Sequence, residues 1–202
     1  SCAYWRDADS LEEAQYAKFD LICRKLQLKP GMRLLDIGSG WGGFLRYAVR
    51  NYHVEATGIS PADNQISLAR QKSEGLGITF IQQDYRDLTG EFDRIVSVGM
   101  FEHVGVGHYN EFFGHVNRLM PDDGVMLLHS IGHMSLPGTA SPWMRKWIFP
   151  GAYSPALSEV FPAVENNSLW VMDLEFLRIH YATTLRHWHE RCERNRDEVA
   201  RM

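Results

Sequence analysis

The stretch that most constrains this chain is Leu34–Gly43, LLDIGSGWGG. An apolar run from Met32 to Ile37 ends in a dense glycine cluster, and FLRYAVRNY follows with apolar residues at Phe44, Leu45, Ala48 and Val49. That succession predicts a strand, a tight turn and a helix. Glycine in such a turn reaches positive φ and lets a ligand approach the backbone closely. The helix start then presents N–H groups without intrahelical partners to that ligand. A glycine turn with no ligand is the plainer alternative, but three glycines lower stability unless something needs them.

Gly38, Gly40 and Gly43 match G-x-G-x-x-G, the dinucleotide fingerprint, a weak signal taken alone. Two details point away from a nicotinamide enzyme. Asp36 stands just before the glycines, where a carboxylate meets a cationic or hydroxyl-bearing ligand. The next strand, His53–Ile59, runs into Ser60 and carries no acid at its tip for an NAD ribose. An acid followed by glycines is the arrangement that S-adenosylmethionine (SAM) methyltransferases use.

Around this turn the chain alternates. Ser10 and Glu13 form a capping box for a helix from Leu11 to about Leu26. Strands are expected at Met32–Ile37, Val54–Ile59, Ile78–Gln82, Arg94–Val98 and Val125–His129. Helices are expected at Gly42–Asn51, after Ser60-Pro61 with Pro61 in the first turn, and at His108–Leu119. This predicts an α/β fold with a doubly wound, mostly parallel sheet. Ser168–Phe176 alternates as a sixth strand, and Tyr181–Met202 reads as a helix with a Glu190–Arg194 pair. No seventh strand is legible, so the sheet is expected to lack its C-terminal strand.

Gly132–Pro162 breaks the rhythm. It is rich in Pro, Gly, Trp and Met, and a long irregular segment in a compact domain is usually a lid or binding loop. Trp143, Met144, Trp147, Ile148 and Phe149 surround Arg145 and Lys146. Two readings stay open here: a buried cap over the core, or a wall for an apolar substrate flanked by cations that meet phosphates.

The length, 202 residues, suits one domain spanning 1–202, with 132–162 as a cap on the substrate side. A net charge of −4 gives no overall reason to expect nucleic acid, while a local basic or apolar patch leaves membrane contact open. Cys2, Cys23 and Cys192 have no metal-like spacing, and no metal is expected; a sparse, odd set fits a reducing compartment. No stretch has the length of an apolar membrane span, and SCAYWRDADSLEE is not a signal peptide. A soluble cytoplasmic protein is the expectation.

In open α/β sheets, ligands bind outside the carboxyl ends of the strands. Those ends carry Asp36 with the glycines, Ser60, Asp84, Glu102 with His103, and His129. Asp84-Tyr85 suits an adenine, and Ser60 with Gln65 suits ribose hydroxyls. Glu102 and His129 end adjacent strands and are candidate acid–base groups. A satisfied structural histidine remains the alternative for His129, and His103 is either a partner or a surface residue. A carboxylate following an apolar strand must be solvated or paired.

SCAYW, LLDIGSGWGG, GISPADNQ, QQDYRDL, SVGMFEHVG, LLHSIG, IFPGAYSP and HYATTLRHW, in that order, resemble the cyclopropane-fatty-acyl-phospholipid synthases, with the mycolic acid cyclopropane synthases and methyltransferases as relatives. The resemblance spans essentially the whole chain. It implies a class I SAM-dependent methyltransferase fold. It also implies methyl transfer from SAM to a cis double bond of a phospholipid acyl chain, with a bicarbonate ion beside the reacting carbon.

The matching bicarbonate residues are Cys2, Glu102, His129, the backbone at Ile131, and Tyr181. The matching SAM residues are Ser1, Gly38, Ser39, Gly40, Ser60, Gln65, Asp84 and Tyr85. Departures are mild at Ser60, where the family usually has threonine, and at Ser39, often cysteine. The tyrosine commonly preceding Ser1-Cys2, an N-terminal domain and a C-terminal part have no counterpart, so a fragment is expected, with Cys2 disordered at a free terminus and one sheet edge sticky. The expected partner is unsaturated phospholipid at the inner membrane face, met peripherally; a homodimer is compatible, and nucleic acid is not expected. The rivals are a small-amine N-methyltransferase, a non-catalytic SAM-binding fragment, and an NAD-dependent oxidoreductase.

Overall fold

The computed structural model describes residues 1–201, and these divide into two compact units, Ser1–Arg24 with Asp173–Met202, and Lys25–Met172. The larger unit holds a five-stranded sheet: β1 (Arg33–Ile37), β2 (Glu55–Ser60), β3 (Thr79–Gln82), β4 (Arg94–Val98) and β5 (Val125–His129). All pairings are parallel, in the order β3-β2-β1-β4-β5. Parallel strands need crossovers, and the helices supply them. α2 (Gly43–Tyr52) joins β1 to β2, α3 (Asp63–Lys72) joins β2 to β3, and α4 (Tyr109–Arg118) joins β4 to β5. β1 (RLLDI) and β4 (RIVSV) are buried along nearly their whole length, because both faces of a central parallel strand are covered.

The core follows from that covering. Leu35, Ile37, Ile59 and Ile95 of the sheet pack with Phe101, Tyr109, Phe112, Phe113 and Val116. α5 (Leu157–Asn166) adds Val160, Ala163 and Val164 to the same cluster. The smaller unit contains α1 (Leu11–Lys25) up to Arg24, α6 (Arg178–Arg194) and α7 (Arg196–Val199). Its capping box is formed as expected, with the Glu13 N–H donating to Ser10 Oγ at 3.2 Å and the Ser10 N–H to Glu13 Oε2 at 3.1 Å.

Four expectations need correction. Pro61 precedes the N-cap of α3, Ala62, so it lies outside the first turn. Gly132–Pro162 is not irregular throughout, since α5 starts at Leu157 and carries Pro162 inside it. The cluster of prolines at 150, 155 and 162 masked a helix held by its apolar stripe. Ser168–Phe176 forms no strand among the described residues: Trp170 and Met172 are 87% and 88% exposed, so their alternation faces solvent instead of a neighbouring strand. The C-terminal helix starts at Arg178 and breaks at Asn195, and Arg194 Nε donates to the Glu190 carbonyl at 3.2 Å; Met202 lies outside the described residues. Among the described residues no helix is long and apolar enough to cross a membrane.

Candidate functional site

The sheet order reverses at β1: the chain builds β2 and β3 on one side and then crosses to β4 and β5 on the other. A crevice therefore opens between the carboxyl ends of β1 and β4, the place where doubly wound sheets bind ligands. Gly38 leaves β1 into this crevice with φ +87, and a Cβ on it would lie 2.8 Å from Met100 Cβ, just after β4. Only glycine allows the two turns to come so close. Gly40 has φ +53 and nothing within 4 Å of its Cβ position. The turn is thus packed at one glycine and open at the next, and a ligand can reach its backbone there.

The Gly38 and Ser39 N–H groups both donate to the Ile59 carbonyl at 3.0 Å, fixing the turn against β2. Ser39 Oγ is buried without a hydrogen-bond partner among the described residues. Asp36 lies within β1, opposite Gly58 of β2 and Val96 of β4, and is only 4% exposed. At the end of β2, Ser60 Oγ donates to Gln65 Oε1 at 3.2 Å and accepts from the Ala62 N–H at 3.2 Å. After β3, Asp84 accepts from the Arg86 guanidinium at 3.0 Å and 2.9 Å, which holds its carboxyl below the usual range. Tyr85 packs edge-on against Phe112 at 5.4 Å, and burial pushes its phenol up. Gly38 to Tyr85 thus rim the β3–β2–β1 side of the crevice.

β4 and β5 rim the other side. Val98 pairs with His129, and the Gly99 N–H donates to the His129 carbonyl at 2.9 Å. Glu102 sits in the short helical turn Phe101–His103. It is buried, with Oε1 accepting the Ile131 N–H at 2.8 Å. Its Oε2 has no hydrogen-bond partner among the described residues. A buried carboxylate with one oxygen uncommitted is costly unless a ligand or proton completes it. The Ile131 N–H is committed to Glu102 in this arrangement, at the backbone position that the resemblance implies for bicarbonate. His103 is exposed.

Ser1, Cys2 and Tyr181 belong to the smaller unit. Ser1 Oγ accepts from Lys18 Nζ at 2.8 Å. Cys2 is buried, which pushes its thiol up, and the residues after it are tied down: the Ala3 N–H donates to Thr184 Oγ1 at 3.0 Å and the Trp5 N–H to His180 Nδ1 at 2.7 Å. The expected disorder at Cys2 is therefore replaced by an anchored terminus. Tyr181 presents its ring edge-on to Trp188 at 6.3 Å.

Three residues around Glu102 escaped the sequence reading. Tyr109 is buried, stacks on Phe101 at 4.3 Å, and has a hydroxyl without a hydrogen-bond partner among the described residues. Burial, with Glu159, Tyr153 and Glu102 nearby, pushes its phenol up to about 12. Tyr153 donates its N–H to the Glu102 carbonyl at 2.8 Å and its hydroxyl to Glu159 at 2.9 Å and 3.0 Å. Tyr109 carries no sequence signal beyond its place in the helix expected at His108–Leu119. The Tyr153–Glu159 pair has no motif, and only α5 explains it.

The family model for mycolic acid cyclopropane synthetase matches residues 1–202. The chain belongs to this family. Cyclopropane-fatty-acyl-phospholipid synthase of Escherichia coli (strain K12) is 47% identical over 191 residues, covering 95% of this chain and 50% of the relative. The chain thus spans about half the length of that relative. Among solved structures, the cyclopropane synthase MmaA2 from Mycobacterium tuberculosis superposes with a TM-score of 0.91 at 33% identity, covering 98% of this chain and 76% of that one. Mycolic acid cyclopropane synthase CmaA1 complexed with SAH and CTAB gives 0.89 at 36% identity, with the same coverages of 98% and 76%. As a family member the chain has the class I SAM-dependent methyltransferase fold, the α/β architecture expected from its sequence.

Proposed function

We propose that this chain transfers the methyl group of SAM to a cis double bond of an unsaturated phospholipid acyl chain and closes a cyclopropane ring. The observation that carries this reading is the buried, uncommitted Glu102 Oε2 beside the β1/β4 crevice. Gly38, Ser39 and Gly40, with Asp36, Ser60, Gln65, Asp84 and Tyr85, would hold the cofactor. The open space at Gly40 and the partnerless Ser39 Oγ fit a bound nucleoside there. When bound, SAM supplies an electrophilic methyl group.

An alkene is a poor nucleophile, so the protein must hold it at near-attack distance. After transfer the acyl chain is cationic, and ring closure requires loss of one proton from the new methyl group. Glu102 offers a negative oxygen at a fixed place, and the Ile131 N–H keeps its other oxygen from turning. Glu102 Oε2 would hold a hydrogen carbonate ion through that ion's O–H, with His129 as a further proposed contact, and the ion would supply the base that takes the proton and leaves as carbonic acid. The exposed Trp143, Trp147, Ile148 and Phe149 favour work at a membrane face, where aromatic side chains settle readily.

The test is methyl transfer from labelled SAM to vesicles of cis-unsaturated phospholipid, with and without bicarbonate, against simple amines. Labelled cyclopropane lipid, with faster turnover in bicarbonate, is the expected result. Transfer to amines alone would overturn the reading. So would calorimetric SAM binding with no turnover in the presence of bicarbonate.

A further inference from the structure

A concave surface of about 460 Å³ lies outside the β1/β4 crevice, and Thr139, Arg145, Lys146, Gly151, Ala152 and Tyr153 line much of it. Arg145 and Lys146 are consecutive in the π-helical turn Met144–Ile148, and both face this space. Neither has an acidic partner or a side-chain hydrogen bond among the described residues; the ammonium of Lys146 rests 4.7 Å from the Trp147 ring centroid. Other arginines in the same unit pair with carboxylates, as Arg33 does with Glu91 and Asp93, and Arg86 with Asp84.

The sequence explains the difference. From Gly124 to Ser158 there is no Asp or Glu, although the whole chain carries 25 acids against 21 bases. The first carboxylate after that run, Glu159, is already engaged by the Tyr153 hydroxyl and by the Ala156 N–H at 2.9 Å. Two cations on one concave wall, with no local carboxylate to neutralise them, select an anion. Guanidinium beside ammonium suits phosphate oxygens in particular: the first offers a planar fork of donors, the second a compact charge.

The position matters as much as the charge. Tyr153 lines this surface, and its N–H is bonded to the carbonyl of Glu102 at 2.8 Å. One residue thus connects the cationic wall to the turn that bears Glu102. Trp143, Trp147, Ile148 and Phe149 stand around the two cations with their rings and side chains exposed. An anionic group flanked by apolar surface is the pattern of a phospholipid, with its phosphodiester at the cations and its hydrocarbon against the aromatic residues.

We propose that the Arg145–Lys146 concavity is a phosphate subsite that seats the phosphodiester of a lipid headgroup. This rests on the lipid reading of the function, and its test does not require turnover. The full chain is titrated calorimetrically with a short-chain phosphatidylglycerol below its micelle concentration, with the matching diacylglycerol, and with inorganic phosphate. The same titrations follow on Arg145→Gln/Lys146→Gln, and on Lys72→Gln as an exposed cation elsewhere. Phosphatidylglycerol should bind, weaken as salt rises, and lose about 10- to 30-fold in affinity in the double variant, with no change in Lys72→Gln.

Unchanged affinity in the double variant overturns the subsite. Diacylglycerol binding as well as phosphatidylglycerol also overturns it, since the phosphate would then contribute nothing. Inorganic phosphate binding as tightly as the lipid overturns the headgroup assignment in favour of a free-anion site. Methyl transfer by the unaltered chain is measured separately: its absence counts against the function, and its presence beside an unaffected titration counts against the subsite alone.

Discussion

Glu102→Gln keeps the volume of the side chain and an oxygen for the Ile131 N–H, and removes the charge at the second oxygen. Turnover should fall by about 10²- to 10⁴-fold, the usual range for acid–base catalysis, because the site that holds the base is lost, while SAM affinity stays within twofold as read by calorimetry. Near-normal turnover would remove Glu102 from the proposed mechanism. Gly40→Val acts on the other side of the crevice: the φ of +53 strains a β-branched residue, and its methyls enter the open space. Loss of SAM binding is expected, and unchanged affinity would refute the assignment of that turn. At the cysteines, burial pushes the Cys2 thiol up and the Cys23 thiol up to about 12, while Cys192 is exposed. Alkylation near neutral pH should therefore mark Cys192 first, with Cys2 and Cys23 reacting only on unfolding; mass mapping that finds Cys23 labelled early would contradict the packing. Glu102 was legible because an acid directly after an apolar strand is conspicuous. Tyr153 and Glu159 were not, because the bonds that tie them to Glu102 need backbone from two loops and a helix.

At the scale of elements, the loop after β4 depends on an aromatic cluster. Phe101 is fully buried and lies against Tyr109, Phe112 and Phe113 with centroids 4.3, 5.2 and 5.7 Å away. Phe101→Ala should cost about 3–5 kcal/mol of stability in denaturant titrations. It should also lower turnover beyond the loss of folded protein, because the next residue is Glu102; a loss below 1 kcal/mol would mean that the cluster repacks. The five strands were readable because apolar runs bounded by glycine and proline are local signals, and β4 and β5 match their expected bounds. Ser168–Phe176 misled for the complementary reason. Alternation says which residues share a face and says nothing of whether a strand lies alongside, which depends on chain far away. α5 was hidden by Pro162, whose cost inside a helix is offset by Val160, Ala163 and Val164 in the core.

At the scale of the whole molecule, several carboxylates among the described residues are held below their ordinary range: Glu12 by the Arg191 guanidinium, Glu13 by the Asp9 N–H, Asp84 by the Arg86 guanidinium, and Asp93 chiefly by the Arg33 N–H. A depressed carboxyl contributes stability above its unfolded value and loses it as pH falls through the folded one. Thermal midpoints should thus be steady from neutrality to about pH 5 and fall below about pH 4. A flat profile down to pH 3 would show that these pairs contribute nothing, which full solvent screening of exposed groups allows. The reversal of the sheet at β1 has a different consequence. Every residue of the proposed cofactor side, Asp36 to Tyr85, precedes β4 in the chain, and the proposed acceptor side of the larger unit follows it. The two halves of the crevice are thus contiguous gene segments that meet at the β1–β4 pairing and at the Gly38–Met100 contact. Any exchange of the acceptor half must therefore keep a residue at position 100 that leaves room for Gly38, so the cofactor turn and the acceptor turn are constrained to vary together at that one contact.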